Sequence, residues 1–277
     1  MIDRRTFVAG LTGATFCLQK THAQTTSEPH HVDLRADMNT RFSEVGTQGV
    51  FAALRVRDQR LVTTDEARMR QPFIPASTFK VPHALIALET GVVADADTEI
   101  IHWDGKVRSI AAWNKDHTLR SAMAVSAVPV YQQIARRIGA ERMQKYLAAF
   151  RYGNQQIGAH IDRFWLDGPL QISVLEQIAF FDRLRRGDLP VSRRNLDIVR
   201  DIIPAEPISG GTIRSKSGAI GIDGTEGEKA TLGWLAGYTE RGDDPWVFAM
   251  NLDIKSSADL GRRMAISKAI LAELGAI

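Results

Sequence analysis

Ser77 and Lys80, in the run Pro75-Ala76-Ser77-Thr78-Phe79-Lys80, form the chain's only Ser-x-x-Lys. On a helix the two side chains stand one turn apart on the same face. A serine hydroxyl is a poor nucleophile until a base takes its proton, and a lysine held neutral in an apolar pocket can be that base. The same spacing also fits the ordinary start of an amphipathic helix. Three other short runs carry hydroxyls or amines. Ser126-Ala127-Val128 precedes a helix opened by Pro129, Tyr152-Gly153-Asn154 is a turn after a helix, and Lys216-Ser217-Gly218 ends a strand. Taken singly, these read equally well as a helix cap, a helix stop and a solvated strand end.

Positioning these groups requires a frame. The pattern predicts a helix over about 31–44, then a strand from Gln48 to Val56. Arg60 to Thr64 returns as a hairpin partner, with Asp58 in the turn. A helix starts at Ser77 and runs to Glu89 before Gly91, with Pro82 removing one backbone hydrogen bond and kinking its first turn. Residues 95–190 read as mostly helical: Leu119–Met123, Val130–Ile138, Ala140–Ala149 and Val174–Arg185. The last has a stripe of Leu175, Ile178, Phe181 and Leu184. A helix at 193–202, strands at 212–217, 231–239 and 246–254, and a helix over 258–274 complete the chain. The expected class is α/β of the α+β type. An antiparallel sheet built from both chain ends is flanked by helices, with an all-helical insertion over about 95–205 inside one domain, 24–277. The site belongs in the cleft between the two parts.

Composition limits the function. The chain has 277 residues, 44% apolar, with a net charge of +3. Without residues 1–23 the balance is 32 basic against 31 acidic, because Arg4, Arg5, Lys20 and Asp3 leave with them. No lysine/arginine block argues for nucleic acid. Residues 1–23 read as an export signal: paired arginines before Thr6-Phe7, as in twin-arginine signals, a short apolar run, and cleavage after Ala23. That run is too short to span a bilayer, so no stable membrane association is expected. Cys17 leaves with the signal, so the exported chain, suited to the periplasm, has no disulfide or thiolate chemistry. His30-His31 lacks a third metal ligand, and no metal is expected. Asp95, Asp97 and Glu99 read as solvated helix-cap acids, and His83 and His117 as structural.

In order and in context, the four runs resemble the four motifs of the class D serine β-lactamases, the oxacillinases. Phe164-Trp165-Leu166, Gly233-Trp234 to Gly237, and Arg263 in the last helix match as well, so the resemblance spans roughly 48–275. Class A enzymes would carry Ser-Asp-Asn where this chain has Ser126-Ala127-Val128. Ser217 departs from the commoner threonine, and the Gly-rich segment Ala219–Lys229, which varies within the family, borders the cleft. The resemblance implies the penicillin-binding transpeptidase-like fold and hydrolysis of penicillin-type β-lactams through a Ser77 acyl-enzyme. It makes Lys80, N-carboxylated by carbon dioxide, the general base, with no other cofactor. Phe79, Val128 and Leu166 would keep its pocket apolar, Trp165 would donate its indole N–H there, and Ser126 would relay a proton to the lactam nitrogen. The Ser77 and Ala219 N–H groups would form the oxyanion hole. Lys216, Ser217 and Arg263 would hold the substrate carboxylate beside Gly218, with Arg263 bidentate where geometry allows. Tyr152 and Asn154 read as structural. The partner is a small β-lactam, and the protein a monomer or homodimer. Two alternatives share the serine and lysine: a receptor domain that acylates without turnover, and a peptidoglycan peptidase.

Overall fold

The computed structural model describes residues 32–222, 224, 225, 227 and 229–277. Residues 1–23, expected to be an export signal and to include Cys17, and His30-His31 lie outside the described residues. The frame is one seven-stranded sheet of β1 (Val32–Leu34), β2 (Gly49–Arg55), β3 (Arg60–Thr63), β4 (Ala205–Ile208), β5 (Gly211–Ile220), β6 (Leu232–Arg241) and β7 (Trp246–Asp253). Their order is β1-β3-β2-β7-β6-β5-β4, so strands from both chain ends meet where β2 pairs antiparallel with β7. All pairings are antiparallel except β1 with β3.

The helices are α1 (Thr40–Ser43), α2 (Glu66–Arg70), α3 (Lys80–Glu89), α4 (Leu119–Ala124), α5 (Val128–Ile138), α6 (Ala140–Phe150), α7 (Val174–Arg186), α8 (Arg193–Ile202) and α9 (Asp259–Glu273). The sheet is buried on both faces, so its central strands read as apolar runs rather than alternating ones. The pleat still sorts them. Val50, Ala52, Val247 and Ala249 join the larger core with α3, α5, α7 and α8, while Phe51, Ala53, Phe248 and Met250 join a smaller core under α9. α7 lies across β7, β6 and β2. Its start is fixed by a Ser173–Glu176 capping box and its end by Gly187 at φ 86°. This helix belongs to the sheet layer as much as to the helical middle.

Four expectations change. Residues 32–34 are an edge strand rather than helix, and the helical part there is a 3-10 turn, Ala36–Asn39, followed by α1. β4 was not expected, and its Pro207 suits an edge, where a missing N–H breaks no ladder. Residues 95–118 contain no α-helix. Asp95 accepts from the N–H groups of Asp97 and Thr98 at 2.8 and 2.6 Å, closing a turn rather than capping a helix, while Asp97 pairs with Arg120. Ser77 sits in a 3-10 turn, Ala76–Phe79, and α3 begins only at Lys80. Pro82 therefore falls in the first turn of α3, where the N–H groups lack helical partners anyway.

Candidate active site

Ala76 is buried in a left-handed conformation, φ 49°, which non-glycine residues rarely adopt. It turns the chain so that Ser77 faces along the start of α3. The turn is tied on both sides. Thr78 Oγ1 donates to Pro75 O at 2.7 Å, and Gln177 of α7 donates to Thr78 Oγ1 at 2.7 Å. On β6, Trp234 Nε1 donates to Ile74 O at 2.9 Å. A serine fixed this way suffers little reorganisation on attack.

Lys80 Nζ lies 2.7 Å from Ser77 Oγ. Lys80 is 0% exposed. Burial, and then the charge of Lys216, hold its amine well below the ordinary lysine range. Nζ also stands 5.2 Å from the Tyr131 ring centroid. No carboxylate pairs with Lys80 among the described residues. A lysine whose pKa is lowered in this way, in hydrogen-bond reach of a serine, is chemically suited to act as a general base. Phe79, Val128, Trp165 and Leu166 all join the same core, and the Phe79 and Trp165 ring centroids are 5.7 Å apart.

Several polar atoms in this region stay unmet, two of them on residues marked for the site by the sequence. Trp165 Nε1 and Ser126 Oγ are buried with no hydrogen-bond partner among the described residues. Each such group costs about 1–3 kcal/mol in an interior, so an unmet pair needs an explanation. Ser126 holds φ 58° in the tight connection from α4 to α5, another left-handed non-glycine residue at the site.

β5 forms the opposite wall. A Cβ on Gly218 would lie 3.1 Å from Pro75 O and 3.2 Å from the nitrogens of Ser77 and Thr78. Only glycine lets the strand approach the nucleophile turn so closely. Lys216 is buried, and its amine is pushed down to about 7 by burial first and by Arg263 second. Burial also lowers Arg263 to about 10. The two cations thus converge on one anion-attracting wall. Gly233 gives Arg263 its space, since a Cβ there would stand 2.9 Å from Arg263 Cδ.

The comparisons agree with this geometry. The profile of the penicillin binding protein transpeptidase domain matches residues 37–272. Beta-lactamase OXA-5 of Pseudomonas aeruginosa is 44% identical over 239 residues, covering 86% of this chain and 88% of its own. Beta-lactamase OXA-48 of Klebsiella pneumoniae is 44% identical over 233 residues, covering 84% and 86%. Among solved structures, the class D beta-lactamase YbXI from Nostoc superposes with a TM-score of 0.80 at 39% identity, covering 87% of this chain and 99% of that one. The chain belongs to the class D β-lactamases.

Within this class D site, most residues marked by the sequence come together, Arg263 among them. Its Nε donates to Leu260 O at 2.7 Å and its Nη1 to Gly218 O. These bonds orient the guanidinium and leave its Nη2 N–H groups and the second Nη1 N–H to meet an anion. Arg262 donates to Val45 O at 2.7 Å and pairs with Asp259, which ties α9 to the chain before β2. Tyr152 packs its buried ring on Phe79 and Phe180, and Asn154 bonds Gln171 N at 3.1 Å and Pro169 O at 2.8 Å. His117 bonds Ser121 Oγ and Ala112 O, both at 2.9 Å. Ser109 donates through N and Oγ to Gly224 O, each at 2.9 Å, tying the Gly-rich loop after β5 to the segment before α4.

Sequence reading missed Gln177 and read His83 as structural. Gln177 anchors the nucleophile turn, and its only signal is an amide on the apolar side of α7. His83 lies three residues after Lys80, spacing that puts it on the same face. Among the described residues no group of three or more His, Cys, Asp or Glu residues fits a metal ion, and no helix is long and apolar enough to cross a membrane.

Proposed function

We propose that this class D enzyme opens β-lactam rings through a Ser77 acyl-enzyme, with Lys80 working in N-carboxylated form, and so confers β-lactam resistance. The observation that carries the reading is the 2.7 Å Lys80–Ser77 contact in a buried pocket without a paired carboxylate. In acylation, Ser77 Oγ loses its proton to the base and attacks the lactam carbonyl. The carbon–nitrogen bond breaks, and Ser126 delivers a proton to the departing nitrogen. The Ser77 and Ala219 N–H groups receive the oxyanion, and Lys216, Ser217 and Arg263 hold the substrate carboxylate.

Deacylation needs a base for water, and among the described residues no glutamate or aspartate is paired with Lys80. The residues present fit a carboxylated lysine. The amine is held well below the ordinary lysine range, which favours the neutral form that takes up carbon dioxide, and the Trp165 N–H is a buried donor without an acceptor among the described residues. When bound, the added carboxylate supplies a base for both half-reactions. Trp165 would orient it, while Phe79, Val128 and Leu166 exclude the bulk water that would protonate the amine. Export to the periplasm through residues 1–23 would bring the enzyme to its small-molecule substrates.

The test is intact-protein mass spectrometry with a penicillin beside turnover of a chromogenic cephalosporin. A transient acyl mass on Ser77 with continued turnover is expected, and Ser77→Ala should lose both. An acyl mass that persists without turnover would mark a receptor domain instead.

A further inference from the structure

His83 has no place in the reaction just described, yet it is built into the base pocket. It lies one turn beyond Lys80 on α3 and is 0% exposed. Aromatic rings hold it from three directions. The centroids of Phe79, Tyr131 and Trp165 stand 5.4, 5.2 and 5.1 Å away, the last two edge-on. Neither Nδ1 nor Nε2 has a hydrogen-bond partner among the described residues. An imidazole kept only for packing would leave a donor and an acceptor unmet, where an apolar side chain would fill the same space without that loss. The unpartnered Trp165 N–H belongs to the ring packed against it. Two ring-borne polar groups without partners thus border the pocket of one buried amine.

We propose that His83 is a positioning residue for the base, its imidazole supplying, beside the Trp165 N–H, a second hydrogen bond that holds the carboxylated Lys80 side chain. The proposal rests on the N-carboxylation reading above. The groups facing His83 are compatible with it. Lys80 on its own helix and Tyr131 on α5 are the titratable neighbours, and Lys216 on β5 acts on Lys80. No carboxylate acts on the ring, and burial with the Lys80 charge lowers it to about 3. The imidazole therefore stays neutral at working pH, with one N–H to donate and no second positive charge set against the amine.

The full exported protein, His83→Leu and His83→Asn are titrated with 13C-bicarbonate. The carbamate resonance measures occupancy, and acylation and deacylation rates are followed in parallel. Losing a hydrogen bond to a charged group should raise the bicarbonate needed for half-occupancy roughly tenfold in His83→Leu, and acyl-enzyme should accumulate. His83→Asn keeps a donor and should stay within about threefold of the parent. Equal occupancy curves for the parent and His83→Leu would overturn the proposal. A parent without any carbamate resonance would instead overturn the N-carboxylation reading, and this proposal with it. If His83→Leu does not fold, 15N-histidine labelling of the parent decides: bicarbonate must shift the ring signal that His83→Asn lacks, and an unmoved signal refutes the role.

Discussion

Gly218→Ala tests whether the approach of β5 to the nucleophile turn is functional. The added methyl would sit 3.1 Å from Pro75 O and 3.2 Å from the Ser77 and Thr78 nitrogens. Ordinary carbon contacts begin near 3.4 Å, so strand and turn must separate by a few tenths of an ångström. That displacement falls on the Ser77 N–H, half of the oxyanion hole proposed above. Complete loss of one such donor costs about 10²–10³ in rate, and misplacement by about 1 Å costs about 10². A shift of a fraction of that should lower the acylation rate about ten- to thirtyfold, or roughly 1.4–2 kcal/mol of barrier. The stability loss should be near the low end for overpacking, about 1 kcal/mol, or about 2–4 °C in Tm. Stopped-flow acylation by a penicillin and thermal unfolding separate the two effects. Gly261→Ala is the control, because a Cβ on that α9 residue meets nothing within 4 Å. It should leave acylation unchanged and raise stability slightly. Acylation by Gly218→Ala within twofold of the parent would refute the argument that backbone proximity sets the oxyanion hole.

Activity in degassed, bicarbonate-free buffer should fall as pH drops below neutrality, because protonation of the Lys80 amine removes the form that takes up carbon dioxide, and added bicarbonate should restore it. Insensitivity to bicarbonate would leave unmodified Lys80 as the base. Trp165→Phe keeps a ring but not the N–H, and it should raise the bicarbonate requirement about tenfold while slowing deacylation more than acylation; equal slowing of both steps would argue for a packing role alone. Lys216 is cationic below its value of about 7 and neutral above it, so KM for an anionic β-lactam should rise with pH above 7. Bound carboxylate favours the charged amine, so kcat should hold to higher pH than kcat/KM, and a pH-independent KM between 6 and 9 would remove Lys216 as the anchor. Replacing 221–228 with a short turn cuts the Ser109–Gly224 tie. It should change relative rates among penicillins, cephalosporins and carbapenems while a simple penicillin still acylates Ser77, and an unchanged profile would separate that loop from specificity.

What the sequence revealed and what it hid divide by the range of the interactions. β2, β6 and β7 carry apolar runs and helices α5 to α8 an amphipathic spacing of their own, and α7 adds the Ser173–Glu176 box. β1 has three residues and β4 carries a proline, and both exist because a longer neighbour offers an open edge. Nothing within Val32–Leu34 distinguishes that strand from the start of a helix, and its pairing with β3 crosses almost thirty positions. Asp95 resembled a helix cap because an aspartate that accepts two following N–H groups has the same local pattern in a turn.

The same division runs through the active site. Ser77 and Lys80 were legible because their contact is local, three residues along one turn. Arg263 was legible as a residue, but its tie to Gly218 was not, since that acceptor lies 45 positions away on β5. His83 is the sharper case. Its spacing from Lys80 is as local as that of Ser77, yet histidine on a buried helix face reads as packing until the surrounding elements are known. α5 brings Tyr131, and the segment after α6 brings Trp165, so that an ordinary position becomes an enclosure with both ring nitrogens unmet. Burying Lys80, His83, Ser126 and Trp165 with such sparse hydrogen bonding opposes folding. The well-packed sheet and α7 hold the enclosure shut against that cost, and the same enclosure disfavours the charged form of Lys80. The instability of the pocket and the lowered pKa of its lysine therefore have one physical origin, the exclusion of water.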